Sequence, residues 1–369
     1  MRIKVCQIIP TLVQGGAEKQ MTLLSKHLDR ERFDVEVIVL THTGPYEKDI
    51  QDAGIKLHFI NKRWKFDPFA YRRLSKTIAQ IAPDVVHTWL FAGNSYGRVA
   101  AKRNRVPVVV AGERSVDPWK ASWQFAVDRK LLGSTDCIAT NTSAVTHFYG
   151  QKGLNTDKFR VIPNAVESPQ MPGLSREEVY QRLKIPPRGR LVGAVGRLWA
   201  QKGYRDLIWA GELLHVAYQD VWFVIIGEGP DLSQLQHFRD LSGAKDSVKF
   251  AGHRTDATDL MSGLDVLWNG SLYEGQSNTI LEAMARGVPV VASDIPGNRD
   301  LMEHDRSGIL YPLGDVETLT KATNVLLRSD DLRASMGAAA AQRVKQVFSL
   351  EQMVRSYDQL YTELHAKKG

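Results

Sequence analysis

The chain has 369 residues, 43% of them hydrophobic and 24% charged, with 48 Lys and Arg against 41 Asp and Glu. That length supports two or three domains with their own cores, and that composition excludes extended disorder. Two cysteines, Cys6 and Cys137, exclude a disulfide framework or a cysteine-built metal site and read as small buried hydrophobes in a reducing compartment.

In chain order, strand-like runs fall at 3–9, 35–40, 55–60, 84–89, 106–112, 136–141 and 159–163. The N-terminus reads as the first of these strands, without the apolar core of a secretion signal. Behind it, Ala17, Met21, Leu24 and Leu28 repeat at helical spacing and predict a buried helix face. Two basic-aromatic clusters follow: Lys62-Arg63-Trp64-Lys65-Phe66, and Trp119-Lys120 with Trp123 and Phe125. Such clusters suit a solvated face, a lipid headgroup surface or a phosphate-linked lipid acceptor. Residues 1–170 carry 25 Lys and Arg against 16 Asp and Glu, and the remainder 23 against 25, so the first half is expected to meet something anionic. A Pro-containing stretch at 167–173 reads as a hinge.

A second series of strands is expected at 190–196, 221–227, 248–252, 265–269, 288–293 and 308–312. The longest apolar run, at 221–226, is strand-sized and too short to cross a bilayer. Strands alternating with amphipathic helices predict an α/β protein of two doubly wound parallel-sheet domains, 1–168 and 169–349. The last segment, 350–369, is expected to be a helix returning to the first domain.

Three loops carry the chemistry. Glu274 opens a polar loop, Gly275-Gln276-Ser277-Asn278-Thr279, that leads into a helix stopped by Gly287. Backbone N–H groups at such a helix start, with the helix dipole behind them, favour a phosphate. Glu282 is expected about two turns in, where both carboxylates address one ligand. Arg197 and Lys202 follow strand 190–196, a planar fork and a point charge suited to the two phosphates of a diphosphate. Gly15 and Gly16 lie between the first strand and its helix and permit close backbone approach. Neither this loop nor 227–230 completes a dinucleotide fingerprint, and no Gly-x4-Gly-Lys phosphate loop occurs. No cofactor is expected, and no recognised nucleic-acid module is present.

Taken together, GGAE at 15–18, GRLWAQKG at 196–203, GEGP at 227–230 and Glu274-x7-Glu282 followed by AMARGVPVVAS resemble glycosyltransferase family four, the group-one glycosyl transferases. The resemblance implies a GT-B fold, two Rossmann-like domains facing each other across a cleft. It implies a retaining, metal-independent transferase taking a nucleotide sugar, with a UDP-sugar the expected donor and a glycan or lipid-linked molecule the acceptor. Residue by residue, it implies that Arg197 and Lys202 bind the donor diphosphate and that the backbone at Gln276, Ser277, Asn278 and Thr279 holds the distal phosphate. Glu274 would contact the sugar, Glu282 the ribose, His253 the base, and Gly15 and Gly16 the underside of the diphosphate. Gln276 stands where the family varies and is a candidate for tuning sugar choice.

The sequence departs from the family after the fifth strand, where a His is usual and Ala111-Gly112-Glu113-Arg114-Ser115 stands instead. Glu113 and Arg114 become candidate sugar or acceptor contacts there, as does His87 at the end of strand 84–89. The expected setting is the cytoplasm, with a possible anionic membrane partner at its inner face. The alternative on the same fold is a nucleotide-sugar 2-epimerase or hydrolase.

Overall fold

The computed structural model describes residues 2–169 and 173–368. It divides into two compact units, Met1–Ala165 with Leu350–Gly369, and Val166–Ser349. Part of the expected hinge, residues 170–172, lies outside the described residues.

The first unit is built on a parallel sheet of β1 (Ile3–Thr11), β2 (Phe33–His42), β3 (Lys56–Phe59), β4 (Val85–Trp89), β5 (Val108–Glu113), β6 (Cys137–Thr140) and β7 (Phe159–Val161), in the order β3-β2-β1-β4-β5-β6-β7. β1 is central, with Val5 opposite Val35 on one side and Val85 on the other. Because successive strand residues point to opposite faces, β1 feeds two apolar layers. Cys6 and Ile8 pack with Ile38, Val86, Leu74 and Ile78. Val5 and Ile9 pack with Met21, Leu24, Leu28 and with Met353, Tyr357, Leu360 and Tyr361 of the terminal helix Leu350–Ala366. The helical stripe at Ala17, Met21, Leu24 and Leu28 is therefore an inward face, as its spacing predicts. Burial pushes both thiols up, Cys137 to about 12, so neither is reactive.

The second unit repeats the plan with β8 (Arg190–Val195), β9 (Val221–Ile226), β10 (Val248–Gly252), β11 (Val266–Asn269), β12 (Val290–Ser293) and β13 (Ile309–Tyr311). Their order is β10-β9-β8-β11-β12-β13. All the strands expected from the sequence are present, their ends within two residues of the expected ones. Strands covered on both faces must be apolar nearly throughout, which is why these runs stand out.

In both sheets the winding reverses beside the first strand, between β1 and β4 and between β8 and β11. An open α/β sheet leaves a crevice at that point, beyond the carboxyl ends of the strands. The loop 12–15 follows β1, and the Arg197–Lys202 and Glu274 loops follow β8 and β11. The topology thus delivers two of the three motif loops to one crevice of the second sheet.

Candidate active site

The loop after β8 is shaped by what it must avoid. Gly203 has φ +63°, and a Cβ there would lie 2.1 Å from the Gly270 carbonyl oxygen of the loop after β11. Only glycine both adopts that backbone and allows the two loops to touch. Main-chain and side-chain bonds hold the contact: Leu272 N donates to Gln201 O at 2.8 Å, and Gln201 Nε2 to Tyr273 O at 2.7 Å. Replacing Gly203 with alanine is expected to cost roughly 2–4 kcal/mol, from the left-handed backbone and the clash combined. Thermal denaturation of the variant checks this; an unchanged midpoint contradicts the close approach.

Across that contact the charged groups meet. The Lys202 ammonium pairs with Glu274 Oε1, which also accepts a hydrogen bond from Ser271 Oγ at 2.9 Å. Arg197 is exposed, its guanidinium lying over the Trp199 ring at 4.5 Å from the centroid. Stacking of this kind limits the rotamers of a long side chain and presents its planar fork outward. The Lys202 and Glu274 side chains thus meet in one crevice, and Arg197 stands exposed on the loop that carries Lys202. Behind them, Ser293 Oγ donates to Ser271 O at 2.6 Å, while Asn298 Nδ2 bonds Ser293 O at 2.9 Å and Asn269 Oδ1 at 3.4 Å. This buried polar net fixes the floor of the Glu274 loop.

The helix after that loop is Asn278–Ala285, with Ser277 at its N-cap. Ser277 makes no side-chain cap, and its hydroxyl instead accepts from Asn269 Nδ2 at 3.3 Å. The Ser277 hydroxyl is therefore not the cap of the first turn. Gln276, Ser277 and Glu282 are buried, and Asn278 and Thr279 are half-buried. Glu282 sits about one turn into the helix, not two, because the helix begins only at Asn278. Along the same sheet edge, Leu198 N donates to Glu228 O at 2.9 Å and His253 N to Glu228 Oε1 at 3.3 Å. His253 is exposed at the end of β10. Among the described residues no group of three or more His, Cys, Asp or Glu is placed to hold a metal ion.

In the first unit, Gly15 precedes the helix Gly16–His27, and the Glu18 carboxylate folds back over it. A Cβ would lie 2.2 Å from a carboxylate oxygen of Glu18, which accepts from Thr11 Oγ1 at 3.0 Å and whose pKa is raised by burial. The double-glycine loop is thus folded tightly on its own glutamate, and Gly16 is exposed.

The three candidates near β4 and β5 are buried. His87 stacks on Trp89 with centroids 4.4 Å apart, and its Nδ1 lies 2.6 Å from the Tyr361 hydroxyl. Burial first, and then the Arg114 charge, hold its pKa well below the usual range, so it is a neutral core imidazole. Arg114 bonds Tyr357 Oη at 3.0 Å and the Asn164 side chain, both residues of its own unit. Glu113 accepts from Asn94 Nδ2 at 2.8 Å and from the Tyr149 hydroxyl at 2.8 Å.

Lys120 corrects the sequence reading. It is not a surface cation beside Trp119, since its side chain is 0% exposed. Its ammonium lies 3.0 Å from Asp128, 2.7 Å from Tyr149 Oη and 3.5 Å from Glu113. Arg98, equally buried, binds Asp128 at 2.5 Å, and Asp117 lies 3.0 Å from the Tyr149 hydroxyl. Nothing in the spacing of residues 98, 113, 117, 120, 128 and 149 announces this cluster; β5, the loop that follows it and three helices bring it together.

Burial, and next the neighbouring Glu113, push the Asp117 carboxyl up to about 7, against the pull of Lys120. With Asp117 protonated, two cations face two carboxylates. Its folded pKa lies above its unfolded value, so its contribution to stability is complete below about pH 4 and is lost as pH rises through 7. Asp117→Asn is expected to flatten that slope and to raise the melting midpoint at pH 8; a slope unchanged between pH 5 and 8 contradicts it.

Both halves match known families: residues 14–168 the pattern described as Glycosyltransferase Family 4, and residues 189–329 that described as Glycosyl transferases group 1. The chain belongs to these family 4, group 1 glycosyltransferases. Among relatives, the lipopolysaccharide core biosynthesis glycosyltransferase LpsD of Rhizobium meliloti is 25% identical over 96% of this chain and 97% of its own. The Escherichia coli UDP-Gal:α-D-GlcNAc-diphosphoundecaprenol α-1,3-galactosyltransferase is 25% identical over 100% and 98%. Among solved structures, Anabaena HepE in complex with UDP-glucose superposes with a TM-score of 0.87 over 98% of this chain and 100% of that one, at 21% identity. The fold of this family 4 enzyme is therefore GT-B, with its Arg197, Lys202 and Glu274 loops in the second of the two α/β units.

Proposed function

We propose that this glycosyltransferase moves a hexose-type sugar from a nucleoside-diphosphate sugar, most simply a UDP-sugar, to a glycan or lipid-linked acceptor. The observation that carries the reading is the meeting of Lys202 with Glu274 where the loops after β8 and β11 touch, with Arg197 on the first of these loops and helix Asn278–Ala285 following the second. Two cations and a helix N-terminus there suit a diphosphate, and Glu274, held by Lys202 and Ser271, suits sugar hydroxyls. Glu282 is assigned to the ribose, His253 to the edge of the base, and Gln276 to the choice of sugar. The first unit is assigned to the acceptor, with Arg114 the candidate contact in place of the family's histidine, while Gly15 and Gly16 are assigned to the donor diphosphate.

Chemistry follows from those roles. Breaking the anomeric C–O bond leaves positive charge on the sugar and negative charge on the departing diphosphate. Fixed donors aimed at that charge lower the barrier, one such donor by roughly 3–4 kcal/mol. Arg197 and Lys202 supply this stabilisation in the place of a divalent ion. Front-face attack forms the acceptor O–C bond on the side from which the diphosphate leaves, and the leaving phosphate oxygen takes the acceptor's proton, so the anomeric configuration is retained.

The E. coli relative is named for a lipid-linked acceptor and the R. meliloti relative for lipopolysaccharide core biosynthesis, which supports polysaccharide or glycolipid assembly. Both are named as transferases, so an epimerase or hydrolase on this fold is not favoured. Nucleotide release from a panel of nucleotide sugars, with chelator present, tests the reading. Release from one donor, with the α-anomeric configuration of a UDP-α-sugar preserved in the product, supports it. Loss of release on chelation overturns the metal-independent mechanism, and an inverted product overturns retention.

A further inference from the structure

The structure joins the two aromatic clusters that the sequence keeps 50 residues apart. Trp64, Phe66, Phe69, Trp119 and Trp123 are all large apolar side chains left between 53% and 77% exposed. Phe66 meets Trp123 with ring centroids 6.4 Å apart, and Trp123 meets Phe91 edge-on at 5.6 Å. Loop 61–67 and the start of helix Ser122–Leu132 therefore meet at Phe66 and Trp123 in one aromatic surface of the first unit, with exposed Trp64, Phe69 and Trp119 close in sequence to them. A monomeric protein rarely leaves such a surface to water without using it.

The charge around this surface has one sign. Residues 61–76 hold six cations, Lys62, Arg63, Lys65, Arg72, Arg73 and Lys76, and a single acid, Asp67. Asp67 is turned inward, accepting from Ala70 N at 2.8 Å and from Arg63 N at 3.0 Å. Lys120, the cation that the sequence adds to the second cluster, is buried and contributes nothing outside. Outward positive charge thus sits on one rim, beside rings that are apolar at their faces and polar at the indole N–H.

We propose that this face is a membrane-docking surface: the rings enter the headgroup boundary of an anionic bilayer while Arg63, Lys65 and Arg72 bind its phosphates. Amphipathic aromatics rimmed by basic residues have the chemistry of that boundary. A protein partner would need shape and hydrogen-bonding complementarity, whereas a bilayer needs only the aromatic face and the charge found here. The surface stands apart from the donor reading, because docking is measured with no nucleotide sugar present.

The test is co-sedimentation of the full chain with vesicles of phosphatidylcholine alone and with 30% phosphatidylglycerol. Binding is expected to the anionic vesicles, weakened by salt and nearly absent on the neutral ones. Phe66→Ser with Trp123→Ser is expected to weaken it about tenfold or more, and Arg63→Gln with Lys65→Gln by a similar factor. Tryptophan fluorescence of the wild type is expected to be quenched by lipids brominated near the headgroup end of the acyl chain. No binding to anionic vesicles overturns the proposal, as does binding that both double variants retain with unchanged circular dichroism. Wild-type binding without quenching overturns the insertion of the rings.

Discussion

Replacing Lys202 with alanine is expected to lower turnover by about 10²–10³-fold, the usual consequence of removing a preformed donor from a leaving group's oxygen. The ammonium is already placed in the crevice, paired with Glu274 before any donor is present. Positioning therefore costs little at the moment of reaction. The change should appear mainly in kcat, because the interaction strengthens as the phosphate's charge develops. Lys202→Arg should recover part of the loss. Because Lys202 and Glu274 touch, Lys202→Ala and Glu274→Ala should combine to less than the product of their separate effects. Steady-state nucleotide release for the two single variants and the double measures this, and an unchanged Lys202→Ala turnover removes the leaving-group role.

Lys120→Ala is expected to destabilise the first unit by about 3–5 kcal/mol, as breaking a buried ion pair does when it strands its partners. Here Glu113 and Asp117 are left without a cation and Asp128 keeps only Arg98; Glu113 and Asp128 are buried and Asp117 half-buried. Burial alone would favour the neutral amine, but Glu113, Asp128 and Asp117 outweigh it and raise the Lys120 pKa. The loss should be largest at pH 8, where Asp117 is also ionised, and smaller at pH 5. Adding Asp128→Asn should not rescue the variant fully, since that change leaves Arg98 without its carboxylate. Urea unfolding followed in the first unit, at both pH values, checks it; equal midpoints for wild type and variant contradict the buried-cluster account.

The two predictions rest on parts of the molecule that were unequally legible in the sequence. Strand positions were readable because strands covered on both faces are apolar nearly throughout, as in residues 221–226. The Lys202 and Glu274 loops were readable because each follows such a strand and precedes a helix signal. Their mutual contact was not, because it depends on β8 and β11 being neighbours, a fact of strand order and not of local spacing. Lys120 misled for a related reason. Between Trp119 and Trp123 it has the pattern of a surface cation, and only the arrival of Glu113, Asp128 and Tyr149 from other elements explains its burial. His87 and Arg114 likewise take their surroundings from Tyr357 and Tyr361, more than 240 residues along the chain.

The β8/β11 crevice is proposed as a diphosphate site built from Arg197, Lys202 and the helix start at Asn278. Titration calorimetry of UDP and GDP into the full chain, in the presence of EDTA, tests it most directly. Saturable binding of one diphosphate is expected, weakened about tenfold or more by Arg197→Ala and by Lys202→Ala, with the bare nucleoside binding far less well. Binding that is indifferent to both substitutions, or no binding of either diphosphate by the folded protein, would contradict it.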